Sequence, residues 1–143
     1  MLRIGKLTDY AMLIMSQMAR QPDLVLSATV LAEGLHLPLP TVSKILKMLS
    51  EAKLVNSIRG AEGGYHLARS ARTITVTDVI AAMEGEMAMT ECCEKISTCT
   101  ITASCSMRQN WRKINKKIKT MLGKLTILDM SLPLSLGVLS HEK

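Results

Sequence analysis

Four thiols carry the chemistry that is most legible in this chain. Its 143 residues include four cysteines, Cys92, Cys93, Cys99 and Cys105, and all of them fall within fourteen positions. Counted from Cys93 the spacing is C-x5-C-x5-C, and counted from Cys92 it is C-x6-C-x5-C. A single structural zinc ion prefers roughly two to four intervening residues, because a short turn aims two sulfurs at one tetrahedral centre. Wider intervals need a larger loop, which suits a centre with several iron atoms, and such centres prefer thiolates. Cys105 lies just ahead of a basic helical stretch opened by Arg108. The positive end of the helix dipole there favours its thiolate. Adjacent side chains diverge, so one of Cys92 and Cys93 is expected to bind. Even spacing favours Cys93, and distance from the preceding helix favours Cys92.

Three thiolates leave one ligand position to fill. Arg108, three residues beyond Cys105, cannot fill it. Asp9, His66, Glu91 and Glu94 are candidates. Each also has an ordinary reading: Asp9 as a helix cap, His66 as a hairpin side chain, and the glutamates as solvated charge.

The elements that must position this loop follow from composition and periodicity. A hydrophobic fraction of 48% is enough for one cored domain. With one Trp, two Tyr and no Phe, the chain lacks the π-faces of a single-strand or RNA stacking platform. No apolar run approaches the roughly 20 residues of a membrane span, and the N-terminal stretch, interrupted by Arg3, Lys6 and Asp9, reads as a helix rather than a signal peptide. A cytoplasmic location with reduced thiols is expected. The net charge of +6 divides into +4 over residues 1–72, −4 over 73–105 and +6 over 106–143. Two basic regions that flank an acidic, thiol-bearing middle suit a polyanion such as double-stranded DNA.

Residues 8–20 read as a first helix, with Thr8 and Asp9 as caps and apolar residues on two faces, one for the core and one for a dimer mate. Ser27 caps a second helix, 28–35, with Gly34 loosening its end. Pro38 and Pro40 then break the chain, and a third helix covers 41–52. Val42, Ile45, Leu46 and Leu49 form the inner stripe of that third helix. Ser43, Lys44, Lys47 and Glu51 form its outer arc. Two short helices and a tight turn, the second helix polar and basic outside, make a helix-turn-helix. Alternation over 54–58 and 65–68 around Arg59-Gly60-Ala61-Glu62-Gly63-Gly64 predicts a hairpin wing with Arg59 near its tip. A short extended segment (73–76), a helix from about 77 to 83 and an aperiodic thiol loop (90–106) come next. One long helix is predicted from Met107 to about Leu128, because Trp111, Ile114, Ile118, Met121, Leu125 and Leu128 form a heptad seam. The predicted fold class is mainly α with a small β wing. Residues 1–76 form the winged helix-turn-helix domain, 77–106 a connecting helix and thiol loop, 107–130 a dimerisation helix and 131–143 a flexible tail.

The run KLTDYAM, the segment LPTVSKILKMLSEAKLV, the hairpin SIRGAEGGYHLAR and the thiol loop together resemble the Rrf2 family of bacterial winged-helix regulators. The start MLRIGKLTDY, the wing RGAEGGYHLAR, TEC at 90–92 and NW at 110–111 are most similar to regulators of SUF iron–sulfur assembly operons. The resemblance implies a homodimer crossed through the C-terminal helix and bound to a palindromic operator. Thr41, Ser43, Lys44 and Lys47 would then enter the major groove and Arg59 the minor groove, with Ser27 counted in the DNA-binding set. It also implies an iron–sulfur cluster, 4Fe–4S or 2Fe–2S, on Cys99, Cys105 and one of Cys92 and Cys93. IscR-like members complete the site with a histidine three residues after the third cysteine, where this chain has Arg108. NsrR-like members use an aspartate of the partner's first helix, and Asp9 matches that position. The expected function is a cluster-sensing repressor of assembly genes. The rivals are a nitric-oxide-responsive repressor and a thiol-redox or zinc regulator. Neither an enzyme nor a small-molecule substrate is expected: there is no Ser/His/Asp set or phosphate loop, and His36, His66 and His141 are far apart.

Overall fold

A computed structural model describes residues 3–134. The described elements run α1 (Lys6–Arg20), α2 (Ala28–Leu35), α3 (Leu39–Glu51), β1 (Val55–Ile58), β2 (Gly64–Leu67), α4 (Val76–Glu84), α5 (Arg108–Lys124) and α6 (Ile127–Met130). A 3-10 turn at Glu91–Cys93 opens the thiol loop.

α1 starts two residues before the predicted boundary, and neither Thr8 nor Asp9 caps it. Gly5 takes the cap position, while Thr8 is fully buried and its hydroxyl bonds to Glu84. The same carboxylate oxygen accepts from the Gly5 amide at 2.7 Å, so a distant helix satisfies the N–H of the cap residue. Both apolar faces of α1 are covered within the protomer, down to Met12 and Ala19, because α1 packs against both α4 and α6. The dimer mate expected over the second face is not needed to bury it.

In α2, the Ser27 hydroxyl accepts from the Val30 amide at 3.2 Å. His36, at φ 54°, closes the helix in the left-handed region, so the helix runs past Gly34. α3 begins at Leu39 rather than Thr41, with Pro40 in the first turn, where a missing N–H leaves nothing unsatisfied. Val42, Ile45, Leu46 and Leu49 are buried as the stripe requires.

The hairpin pairs Val55 with Leu67 through Ile58 with Gly64. Leu26 bonds Tyr65 in both directions at 2.9 and 2.8 Å, which ties the wing to the entrance of the helix-turn-helix. Glycine is required at position 64, because a Cβ there would lie 2.7 Å from the Leu26 carbonyl.

The largest departure from periodicity is at the C-terminal side. The helix predicted to about Leu128 ends at Lys124, Leu125 is extended, and Thr126 and Asp129 form a capping box that starts α6. Tertiary bonds enforce the break: the Val76 amide donates to the Leu125 carbonyl at 2.9 Å and the Ile127 amide to the Ile74 carbonyl at 2.8 Å. Leu125 and Ile127 are buried in the main core. The seam residues Leu125 and Leu128 therefore leave α5. The segment predicted as a tail from 131 begins docked, since Arg20 donates through Nε and Nη2 to the Ser131 carbonyl at 3.2 and 3.0 Å. Positions 135–143 lie outside the described residues.

Candidate DNA-reading face and thiol site

α3 buries one stripe and presents the other. Ser43, Lys44 and Lys47 are exposed and Thr41 is half-buried. Arg59 is exposed at the hairpin turn, where Gly60 takes φ 117°, a backbone conformation open to glycine. Among the described residues, none of Lys44, Lys47 and Arg59 is in an ion pair. Three cations on a helix face and an adjacent wing are thus free for phosphates. Ser27 also caps α2: its hydroxyl oxygen accepts from the Val30 amide and keeps its hydrogen to donate.

The thiol loop is held at its entrance by α5. Buried Asn115 accepts from the Met89 amide at 3.0 Å, and Arg112 Nε donates to the Cys92 carbonyl at 3.2 Å. Glu86 takes Lys119 at 2.9 Å and Lys95 at 3.3 Å, and the hydrogen bond from Lys119, followed by that from Lys95, lowers its pKa below the ordinary carboxylate value. All four cysteines are free thiols, with Cys92 buried and Cys93, Cys99 and Cys105 half-buried. The Thr90 hydroxyl lies 3.1 Å from Cys92 Sγ and 3.3 Å from Cys93 Sγ, so the two adjacent sulfurs share one neighbour. Cys105 sits three residues before the first residue of α5. Arg108, at that first position, has a buried Nε without a hydrogen-bond partner among the described residues.

Asp9 is exposed on α1, beside a surface cavity of about 640 Å³ that Lys6, Met12, Val76, Leu122 and Leu125 also line. No three His, Cys, Asp or Glu side chains converge on a metal position among the described residues. The donor chemistry fits iron–sulfur binding: four free thiols on one loop that ends at the start of α5. Glu84, Asn115 and Arg112 were not singled out by sequence reasoning. Asn115 does leave a signal, as a polar residue in line with Trp111, Ile118 and Leu122 on the packed face of α5.

The model of the Rrf2 family, described as an iron-dependent transcriptional regulator, matches residues 4–132. The chain belongs to the Rrf2 family. An HTH-type transcriptional regulator of Neisseria meningitidis is 33% identical over 123 residues, covering 86% of this chain and 81% of the relative. The protein rrf2 of Nitratidesulfovibrio vulgaris is 35% identical over 89 residues, 62% of this chain and 59% of its own. Among solved structures, CymR, the global cysteine regulator of B. subtilis, superposes with a TM-score of 0.74 at 28% identity, covering 92% of this chain and 97% of CymR. The T. potens IscR superposes with a TM-score of 0.70 at 29% identity, covering 90% and 85%.

Membership makes this Rrf2 protein a transcriptional regulator rather than an enzyme, built as a winged helix with a two-stranded wing. DNA is the partner that such a regulator implies. No helix among the described residues is long and apolar enough to cross a membrane.

Proposed function

We propose that this Rrf2 protein is an iron–sulfur-cluster-sensing, DNA-binding repressor of cluster-assembly genes that acts as a homodimer on a palindromic operator. The carrying observation is the concentration of four free thiols on one loop that ends at the basic start of α5. Cys99, Cys105 and one of Cys92 and Cys93 would hold the cluster, with Asp9 of the other protomer as fourth ligand. The exposed position of Asp9, on a helix that carries no thiol, supports a ligand supplied across a dimer. The cluster, when bound, supplies iron and sulfide whose loss or oxidation reports supply.

Two features support dimerisation through α5. Met107, Ile114 and Met121 recur every seven residues and are 51%, 43% and 44% exposed, an unpaired apolar edge one heptad apart. Trp111 and Ile118 flank that edge half-buried. Ser43, Lys44, Lys47 and Thr41 would then read the major groove and Arg59 the minor groove, one half-site per protomer and roughly 34 Å apart. α4 packs against both α3 and α5, so a shift of the thiol loop against α5 reaches the reading helix through packed helices.

The test is anaerobic purification followed by Mössbauer and absorption spectra, then titration of a promoter fragment with loaded and stripped protein. Iron and sulfide in the sample and a difference in affinity between the two forms are expected. Equal affinity refutes the switch and leaves DNA binding intact. A second reading, a thiol-redox regulator, is favoured by the Thr90 hydroxyl that lies within hydrogen-bond reach of both the Cys92 and the Cys93 sulfur. A colourless protein whose DNA affinity changes with peroxide supports that reading. Release of DNA by nitric oxide alone marks the nitric-oxide-responsive variant.

A further inference from the structure

We propose that Glu84 is a positioning residue that aims Asp9 as a cluster ligand and ties it to the thiol segment of the same protomer. This rests on the ligand role given to Asp9 above. α1 has no capping side chain of its own. Instead, one carboxylate oxygen of Glu84, in the last residue of α4, accepts from the Gly5 amide at 2.7 Å and from the buried Thr8 hydroxyl. Gly5 is held at its other end as well, since its carbonyl accepts from the Asp9 amide at 3.0 Å. The residue one turn before Asp9 and the residue immediately before it are therefore fixed by a single oxygen atom. A Cβ at position 5 would lie 2.7 Å from that oxygen, so a side chain there would push the carboxylate off the Gly5 amide.

On the other side of Glu84 the chain leaves α4 through Gly85, at φ 84°, and runs directly towards the cysteines. This outgoing stretch is pinned to α5 by Lys119 on Glu86 at 2.9 Å and by Asn115 on the Met89 amide at 3.0 Å. The turn that carries Asp9 and the strap that carries the thiols thus share one anchor, placed at the end of a helix that also packs on α3. A carboxylate that only completed a helix start would stabilise α1 and leave a bound cluster unchanged. A carboxylate that aims Asp9 alters the cluster when it is lost.

The experiment compares wild type with Glu84→Ala, Glu84→Gln, Thr8→Val and Asp9→Ala. Amide hydrogen exchange is measured on the stripped proteins, and absorption and Mössbauer spectra on the anaerobically reconstituted ones. Removing the acceptor in Glu84→Ala is expected to speed exchange at Gly5 and Asp9 about tenfold or more, with Thr8→Val affected less. Its cluster spectrum is expected to match that of Asp9→Ala, while Glu84→Gln, which keeps an acceptor oxygen, restores both readouts. Unchanged exchange in Glu84→Ala overturns the clasp. A wild-type cluster spectrum in Glu84→Ala beside an altered one in Asp9→Ala overturns the positioning role, as does a wild-type spectrum in Asp9→Ala itself. A wild-type protein that takes up no iron refutes the cluster reading, and the positioning role with it. The exchange data then still decide whether Glu84 holds the start of α1.

Discussion

Arg112 Nε donates to the Cys92 carbonyl across 3.2 Å, so α5 grips the thiol loop by its backbone and leaves the sulfur to other partners. The grip joins an exposed arginine to a buried cysteine, and it is one of the few fixed points of a loop without regular structure. Replacing Arg112 with Ala removes one charge-assisted hydrogen bond, worth about 1 kcal/mol locally. Alkylation of Cys92, followed by mass spectrometry of stripped protein, should accelerate, with little change in the melting temperature of the helical core. Unchanged alkylation would show that the remaining contacts with α5, from Asn115 and Lys119, hold the loop without Arg112.

DNA affinity should depend on α3 and the wing through their free cations. Lys44→Ala, Lys47→Ala and Arg59→Ala should each weaken operator binding and lower the slope of log affinity against log salt by about one for every phosphate left without its cation. Fluorescence anisotropy across a salt series reads both quantities. Ser27→Ala should also act through folding, at about 1 kcal/mol, because its hydroxyl caps α2.

The apolar edge of α5 gives an oligomer test. Ile114→Glu places a charge among Met107, Ile114 and Met121 without touching the protomer core. Sedimentation should shift from dimer to monomer, with helix content retained. A dimer that survives this change pairs through another face.

Gly64→Ala should damage the wing, since the added methyl meets the Leu26 carbonyl at 2.7 Å and the two-way bridge to Tyr65 must open. A destabilisation of about 2 kcal/mol or more is expected in denaturant unfolding. Gly34→Ala is the control: nothing lies within 4 Å of its added methyl, and helix propensity should make it neutral to stabilising.

Asp129 supplies a pH dependence. Hydrogen bonds from the Thr126 hydroxyl and then the Thr126 amide, with a smaller contribution from the Arg72 charge, hold its pKa below the ordinary aspartate value. A depressed folded pKa stabilises the fold above the unfolded value of about 3.9, and that contribution is lost as pH falls through the lower folded value. The melting-temperature gap between wild type and Asp129→Asn should therefore narrow on going from about pH 5 to about pH 2.

The sequence by itself determined the elements whose signals are local. The stripe Val42, Ile45, Leu46, Leu49, the Ser27 cap and the glycine-rich turn beside Arg59 each depend on neighbours a few residues apart, so helix, cap and wing were legible there. The thiols were legible as a cluster because proximity along the chain needs no fold. Only the tertiary structure decided what depends on distant partners. The seam through Leu125 and Leu128 continues in sequence, but bonds to Val76 and Ile74 end α5 at Lys124 and turn the chain into the core. Thr8 and Asp9 have the composition of caps, yet Glu84, 76 residues away from Thr8, takes that task and frees Asp9 to face outward. Periodicity records which face of a helix is apolar. It does not record which remote backbone group or carboxylate meets that face, and here those meetings set both the end of α5 and the start of α1.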